Sequence, residues 1–419
     1  MRHTRYIILF ILLYFYIYNP IFSFPGGIGS IKMIYPLFIL LIIIRNRGYK
    51  NAIRYFKSEM FVLISLLLYV IMRTFMGGDP VIGYTHIIFF IEIFFIPLFL
   101  VTYTHKAGIR DNKKYFRLIL VLGGFASVLS AVSFIVPSIG NLMRYEIMDT
   151  KSDSILYTDS YRGFGLASGL TYAFGIIQGS MIALSAFHIR DNRWFILFYP
   201  LVIVSILLNA RTGIVVAFVG IMIYLFVNIK IKSLLNISFA ILFTYMIIIQ
   251  ALSTFSISTE TIWWIEDFFE QFISVRMEKS LNATYTMDSL FNRMWVWPNG
   301  HGEWIFGKGL IIFGQNDASN SDIGYIQQLN YGGLVYTFIL GVFLIKVIKR
   351  MMKNNIDITQ VLFFIGVFIV ANLKGNYLIN SGSFRFMMYI YYFTIYTQYT
   401  HNIQTNNAIA GHYDHPDEY

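Results

Sequence analysis

The chain contains no cysteine, which excludes disulfide bonds and thiolate metal sites. It also has little charge: Asp, Glu, Lys and Arg make up only 13% of its 419 residues, while hydrophobic residues make up 57%. A soluble domain of this length needs a much more charged surface. Here the apolar residues also stand in blocks long enough to cross a bilayer. The composition therefore predicts one all-α polytopic membrane domain rather than two or three globular ones.

The phosphate-binding motifs of nucleotide enzymes are absent as well. The sequence has no P-loop, no G-x-G-x-x-G that opens a helix after a strand, and no D-x-D pair in the segments assigned below to the outer face. ATP-driven transport by this chain and a metal–nucleotide-sugar site are therefore not indicated. We expect neither a metal ion nor a cofactor.

The apolar blocks predict about twelve transmembrane helices. The net charge of +10 comes from basic residues that cluster in alternate connecting segments, so most of the 32 Lys and Arg fall on one side. By the positive-inside rule this side is the cytoplasm, both termini are cytoplasmic, and nucleic acid is not an expected partner. The predicted spans are 6–19, 27–44, 60–76, 82–103, 117–137, 165–187, 194–209, 212–228, 234–252, 323–345, 358–373 and 384–400.

The outer, periplasmic side carries one long loop at residues 253–322. It separates transmembrane helices 1–9, in residues 1–252, from helices 10–12, in residues 323–400. Within the loop, residues 261–281 mix Trp and Phe with acidic residues, which is typical of a short amphipathic helix at the membrane interface. Residues 401–419 form a polar cytoplasmic tail.

The hairpin at 194–228 singles out Arg211. Each apolar arm has about 16 residues and so measures roughly 24 Å, less than a hydrocarbon core of about 30 Å. The connecting turn Asn209-Ala-Arg-Thr-Gly213 is therefore predicted to lie below the outer surface. A guanidinium at that depth needs a partner or a water-filled cavity.

Arginines on the outer side are candidates for binding an anion. An arginine can hold a diphosphate bidentately without changing its charge state, and several from separate loops would suit a lipid-diphosphate head group. Ordinary anchoring at the interface by snorkelling is the alternative. The candidates are Arg162, Arg211, Arg293 and Arg385.

Three other polar residues have two interpretations each. Asp322 precedes the tenth span, where its carboxylate can cap the helix or serve as a general base or sugar ligand. His301 is either a catalytic group or a solvated loop residue. Glu92 lies within the fourth span and either pairs with a basic group such as Arg73 or lines a cavity.

Four stretches, in this order and with the long loop among them, resemble the bacterial O-antigen polymerase (Wzy-type) family of the O-antigen polymerase/ligase superfamily. The resemblance covers most of residues 160–345. The stretches are Tyr161-Arg-Gly-Phe-Gly165, Asn209-Ala-Arg-Thr-Gly213, Gly307-Lys-Gly309, and Ser321-Asp-Ile-Gly-Tyr325 leading to Gly332-Gly333.

The resemblance implies a metal-independent glycosyltransferase of lipopolysaccharide biosynthesis in the bacterial inner membrane. A growing polysaccharide on undecaprenyl diphosphate would pass to a hydroxyl of a repeat unit on a second undecaprenyl diphosphate. The outer arginines would hold the diphosphates, and Asp322 or His301 would assist the acceptor hydroxyl. Tyr325 joins the substrate-binding candidates. Membrane lipid and a chain-length regulator are the other expected partners.

Two other functions remain as alternatives. The related O-antigen ligase, which moves the glycan to lipid A core, is expected to carry a histidine just ahead of the span after the long loop. This chain has Ser321-Asp-Ile323 there, and His301 stands about twenty residues earlier. A non-enzymatic repeat-unit flippase also has about twelve spans, but it should carry charge inside its cavity and little outside. The long outer loop therefore favours the polymerase.

Overall fold

A computed structural model of the protein describes most of the chain, and its described residues are helical almost throughout, with no strand. The predicted span at 27–44, most of the span at 234–252, the amphipathic stretch at 261–281 and Arg162 lie outside the described residues. The described residues are 2–23, 47–148, 165–167, 173–187, 198–227, isolated positions between 235 and 250, 293–310, 321–376, 378 and 382–413.

Thirteen α-helices are named here in chain order. A π-helical turn at Ile91–Phe95 interrupts the helix from Pro80 to Lys106, and a second one at Leu142–Ile147 follows the short helix Pro137–Asn141. The helices are α1 (Arg2–Tyr18), α2 (Arg47–Tyr55), α3 (Lys57–Phe75), α4 (Pro80–Lys106), α5 (Asn112–Ile135), α6 (Pro137–Asn141), α7 (Ala173–Phe187), α8 (Tyr199–Asn209), α9 (Thr212–Val227), α10 (His301–Phe306), α11 (Gly324–Lys353), α12 (Ile358–Lys374) and α13 (Gly382–Tyr413).

Four of these helices, α3, α4, α5 and α11, are long and apolar enough to cross a membrane. They coincide with the predicted spans at 60–76, 82–103, 117–137 and 323–345. The helices α1, α7, α8, α9 and α12 are also apolar but shorter. The helical class is confirmed for the described residues, and these apolar helices are compatible with a membrane protein.

Three predicted boundaries differ from the ends of the described helices. Residues 165–167, at the start of the span predicted at 165–187, are non-helical, and the described helix α7 covers Ala173–Phe187. The helix α11 continues past 345 to Lys353. The helix α13 continues past 400 to Tyr413, so the predicted tail begins as helix. A hydropathy boundary marks the end of an apolar run, and a helix ends only where its backbone hydrogen bonding stops.

The core lies around α13. Every residue from 382 to 396 is buried, so this part of the helix is enclosed on all sides by other helices. At the end predicted to be cytoplasmic, the buried carboxylate of Glu59 on α3 pairs with Arg350 of α11 at 3.0 Å and accepts the hydroxyl of Tyr391 on α13 at 2.8 Å. This network ties three helices together at one end of the bundle.

Candidate functional site

The helix α11 is interrupted at Gly333, whose φ of 64° and ψ of −163° are non-helical. The interruption frees backbone carbonyls, and the segment after α10 binds them. The N–H of Lys308 donates to the carbonyl of Asn330, and the N–H of Gly309 donates to that of Tyr331 at 2.9 Å. Two of the stretches that carried the resemblance, Gly307-Lys-Gly309 and Gly332-Gly333, are therefore in direct contact. We call this region the α11 break.

The glycines of the α11 break are required by its geometry. Gly307, Gly309 and Gly333 have φ values of 74°, 76° and 64°, in the region that side chains with a Cβ rarely adopt. A Cβ at Gly307 would also collide with the backbone of Tyr331, and one at Gly333 with the carbonyl of Ile305. These positions therefore accept only glycine without local rearrangement.

Arg73, near the end of α3, binds the same region through a hydrogen bond. Its side chain is only 8% exposed, and its Nη2 donates to the carbonyl of Gly307 at 3.0 Å. The neighbouring Tyr69 donates its hydroxyl to the carbonyl of Gly332 at 2.7 Å. Arg73 was one possible partner for Glu92, and that pairing is wrong, because its guanidinium binds the loop.

The partner of Glu92 is Arg385. The two side chains form a buried ion pair between α4 and the first turn of α13. The hydroxyl of Tyr16 on α1 donates to the backbone carbonyl of Glu92 at 2.7 Å. The outward-facing role predicted for Arg385 disagrees with this placement, because the guanidinium lies inside the bundle opposite a carboxylate. A buried charge needs such a counterion to offset its desolvation.

The turn between α8 and α9 contains Asn209-Ala-Arg-Thr-Gly213, and α5 holds its first residue. The buried Asn209 donates from Nδ2 to the hydroxyl of Ser130 and to the carbonyl of Ser205, each at 2.8 Å. Ser130 lies five residues before the end of α5 at Ile135, or about 7.5 Å along the helix axis. The first residue of the turn therefore contacts α5 more than one helical turn before the C-terminal end of that helix.

Glycines fix the other side of this turn. Gly213 packs so closely on Gly175 and Gly179 of α7 that a Cβ at any of the three would collide with the opposite backbone. Small residues allow helices to approach at this distance. Arg211 therefore stands between two immobilised neighbours, Asn209 and Gly213, and its side chain is half-buried.

Gly165, the last residue of the stretch Tyr161-Arg-Gly-Phe-Gly165 and its one described residue, contacts the same part of α5. The N–H of Gly165 donates to the hydroxyl of Ser133 at 3.0 Å. Ser133 is one turn of helix from Ser130, so Gly165 and Asn209 bind neighbouring hydroxyls of α5. The structure therefore places Gly165, from one further stretch of the resemblance, near Asn209, from another. We call this region, with Arg211, the α5 shelf.

Arg144 is a residue that sequence reasoning missed. It lies in the π-helical turn after α6, is buried, and has its guanidinium beside Gly140. Gly140 in turn lies against the carbonyl of Ser133, so Arg144 borders the α5 shelf. In the sequence it was one of several arginines on the predicted outer side, and only its burial distinguishes it.

The segments that carry Arg293 and Asp322 contact each other at the end of the long loop. The hydroxyl of Ser321 donates to the carbonyl of Met294 at 2.6 Å, and Arg293 and Asp322 are each one residue away from this hydrogen bond in the sequence. Arg293 is exposed and Asp322 is half-buried. The capping interpretation of Asp322 is wrong, because Ile323 occupies the N-cap position of α11 and no side chain caps that helix.

The remaining candidates are Tyr325 and His301. Tyr325 donates its hydroxyl to the carbonyl of Ile369 on α12 at 3.2 Å and packs against Phe368. His301 is the exposed first residue of α10. The structure thus divides the candidates among the loop end, the α5 shelf and the bundle interior.

Within the part of the chain that the structure describes, no group of three His, Asp or Glu side chains could hold a metal ion. The groups on hand are guanidinium, carboxylate, imidazole and hydroxyl, which suit anion binding and proton transfer. A scan against protein-family models found no family that matches this chain, and a search of curated proteins found no similar sequence.

Proposed function

We propose that this protein is an O-antigen polymerase, a glycosyltransferase that works on the periplasmic face of the bacterial inner membrane. Donor and acceptor are both carried on undecaprenyl diphosphate, and the growing polysaccharide moves from its lipid to a hydroxyl of the next repeat unit. The lipid diphosphate leaves, so the reaction uses neither a nucleotide nor a metal ion.

The observation that carries the proposal is the pairing of the four stretches that resemble this family. Gly165 and Asn209 are 44 positions apart in sequence, yet they bind Ser133 and Ser130 on one face of α5. The other two stretches meet at the α11 break. Within each pair, residues that are far apart in the sequence lie close together in the fold, which supports the resemblance.

Arg211 is the proposed diphosphate ligand. Its turn is held by Asn209 on one side and by the glycine contact with α7 on the other, so the guanidinium is presented from a fixed backbone. Preorganised charge of this kind stabilises a leaving diphosphate without reorganisation during the reaction. Arg162 and Arg293 are the proposed additional ligands.

Asp322 is the proposed general base, with His301 as the second candidate. Asp322 is half-buried beside the Arg293 segment, and its carboxylate is not used to cap α11. A carboxylate in this position is able to accept the proton of the acceptor hydroxyl while the arginines hold the diphosphates. Tyr325 is the proposed contact for the saccharide next to it.

The membrane topology belongs to the same proposal. We infer about twelve membrane crossings, with both termini in the cytoplasm and the long loop in the periplasm, because the basic residues cluster in alternate connecting segments. The long apolar helices α3, α4, α5 and α11 support a membrane location. A chain-length regulator is the proposed protein partner.

The test is a deletion strain analysed on a lipopolysaccharide gel. Loss of a polymerase leaves lipid A core bearing a single repeat unit. Loss of a ligase leaves bare core, and loss of a flippase leaves bare core with repeat units held inside the cell. A full ladder of chain lengths in the deletion strain would overturn the proposed function, and bare core would replace it with one of the two alternatives.

A second experiment tests Arg211 itself. Arg211→Ala, expressed in the deletion strain at the wild-type protein level, is expected to leave the single-repeat pattern. Arg211→Lys keeps the charge but loses bidentate binding, so it should restore only part of the ladder. A wild-type ladder from Arg211→Ala would remove the assigned role.

A further inference from the structure

Three of the six tryptophans lie side by side: Trp304 belongs to α10, and Trp295 and Trp297 precede that helix. The rings of Trp295 and Trp297 have centroids 5.6 Å apart at an angle of 34°, and those of Trp297 and Trp304 are 5.7 Å apart and nearly parallel at 12°. Trp297, in the middle, is 48% exposed. We call these three residues the tryptophan row.

The row is held from both of its ends by α11. On one side Trp295 packs against Ile323 and Ile326, and the adjacent carbonyl of Val296 accepts from the buried side chain of Asn330 at 2.7 Å. On the other side Trp304 belongs to α10, which leads directly into the α11 break at Gly307. The rings are therefore preformed and need little ordering when they bind a ligand.

Charged and polar groups border the row. Glu303 and Lys308 approach each other to 3.7 Å, and both side chains are partly exposed. Glu303 also accepts the backbone N–H of Asn299 at 2.9 Å, which fixes one carboxylate oxygen. An aromatic surface with a carboxylate and an ammonium at its edge combines apolar area with donors and acceptors for hydroxyl groups.

Carbohydrate has the chemistry that matches such a surface. One face of a pyranose ring presents polarised C–H groups, which pack on the electron-rich face of an indole, while its hydroxyls project sideways toward hydrogen-bonding groups. A lipid chain gains nothing from the Glu303–Lys308 pair. The flanking charges therefore favour a saccharide over a purely interfacial role for the three rings.

We propose that the tryptophan row is a platform on which sugar rings of the polysaccharide chain stack. This inference rests on the proposed function and adds a binding surface for the chain outside the reacting groups. Trp295 follows Met294, whose carbonyl accepts from the hydroxyl of Ser321, the residue before Asp322. The row and the proposed base are therefore carried by segments that contact each other.

The first test measures binding to the full-length protein in lipid nanodiscs. The probe is the polysaccharide released by mild acid from the lipopolysaccharide of the source bacterium, followed by tryptophan emission and by calorimetry, with dextran as the comparison. Wild-type protein should bind the released polysaccharide more tightly than dextran. Trp297→Leu should weaken binding about two- to tenfold, while Trp297→Phe should keep most of it.

Leucine is the informative substitution because it can replace a tryptophan that anchors the protein in the membrane but cannot offer a ring face to a sugar. Phe306→Leu is the matched control, since Phe306 is 45% exposed on the same helix and lies outside the row. Equal binding by wild type, Trp297→Leu and Phe306→Leu would overturn the platform and leave an interfacial anchor. If Trp297→Leu fails to accumulate, Trp304→Leu replaces it, and absence of binding by wild type overturns the proposal by itself.

The second test uses the gel ladder in the deletion strain. Trp297→Leu should still give polymer, but with a distribution shifted to shorter chains, because the chain is released earlier. Trp297→Phe should give longer chains than Trp297→Leu at equal protein level. An unchanged distribution from Trp297→Leu overturns the platform alone, whereas a full ladder in the deletion strain overturns the polymerase function.

Discussion

The α11 break and the α5 shelf both place non-helical backbone among packed helices, and they satisfy it in different ways. At the α11 break the N–H groups of Lys308 and Gly309 fill the open carbonyls of the helix, and Arg73 is buried beneath them. At the α5 shelf the hydroxyls of Ser130 and Ser133 accept from Asn209 and Gly165, and Arg211 stays half-buried at the turn. Backbone without partners is costly among apolar helices, so both regions are rigid, but only the second presents an arginine.

The comparison supports a structural role for Arg73 and agrees with the diphosphate-binding role proposed for Arg211. Variants at the α11 break should therefore lower stability, and variants at Arg211 should lower activity at unchanged stability. The following substitutions test this division, beginning with the largest expected effect.

Gly333→Ala is expected to abolish accumulation of folded protein. Its φ and ψ lie in a region that is essentially restricted to glycine, and the added Cβ would collide with the carbonyl of Ile305. Gly341→Ala is the matched control, because it lies in the same helix with no atom near the added Cβ and should be neutral or slightly stabilising. Fluorescence-detected size exclusion after heating measures the stability of both variants. A Gly333→Ala protein as stable as wild type would contradict the non-helical geometry of Gly333 at the α11 break.

Glu92→Gln and Arg385→Met should each cost about 3–5 kcal/mol in the free energy of unfolding, because each leaves a buried partner without its counterion. The double variant Glu92→Gln with Arg385→Met should recover most of that loss. Thermal unfolding in detergent gives the three values. Additive losses in the double variant would mean that the two charges do not act as a pair.

The same double variant decides between the two roles of Arg385. If Arg385 serves only as the counterion of Glu92, a stable double variant should still produce polymer. A stable double variant that leaves the single-repeat pattern would restore Arg385 to the set of diphosphate ligands.

Arg73→Ala should cost about 1.5–3 kcal/mol of stability, because a hydrogen bond from a buried charge to the carbonyl of Gly307 is lost. Arg73→Lys keeps the charge and should lose less. Thermal unfolding of both variants beside Arg211→Ala tests the division directly. The division of roles is contradicted if Arg211→Ala is the less stable protein and Arg73→Ala unfolds like wild type.

Asn209→Ala should have the smallest effect on stability, about 1–2 kcal/mol, since it removes one neutral side-chain hydrogen-bond donor that has two acceptors. Its effect on the ladder should be larger than this loss suggests, because Asn209 orients the turn that carries Arg211. Combining Asn209→Ala with Ser130→Ala should restore stability but not chain length. Recovery of both would mean that Asn209 has no positioning role.

Most helices could be located from the sequence because the signal is local. The predicted spans at 212–228 and 358–373 match α9 and α12 almost residue for residue, since each is one apolar run between polar flanks. The non-helical backbone at 165 was not predicted, because Gly165 takes a positive φ and binds Ser133, which lies 32 positions away in the sequence. The end of α11 was missed because the helix continues through charged residues to Lys353.

The candidate site was predicted less completely. Sequence spacing indicated a recessed turn at Arg211, and the position of Asn209 beside Ser130 supports it. The partner of Glu92 could not be chosen, because Arg73 and Arg385 are both basic residues near predicted span ends and the true partner is 293 positions away. The burial of Arg144 and the alignment of the three tryptophans were equally invisible, since neither leaves a periodic pattern.

The sequence by itself determined the helical class, the positions of most described helices and the list of groups able to carry chemistry, because these depend on composition and on apolar runs of local length. The tertiary structure decided which of those groups meet. It buried Arg385 opposite Glu92 and Arg73 against the carbonyl of Gly307, left Arg211 at a rigid turn, and aligned the tryptophan row. These outcomes depend on contacts between residues far apart in the chain, whose energies arise only when the helices pack.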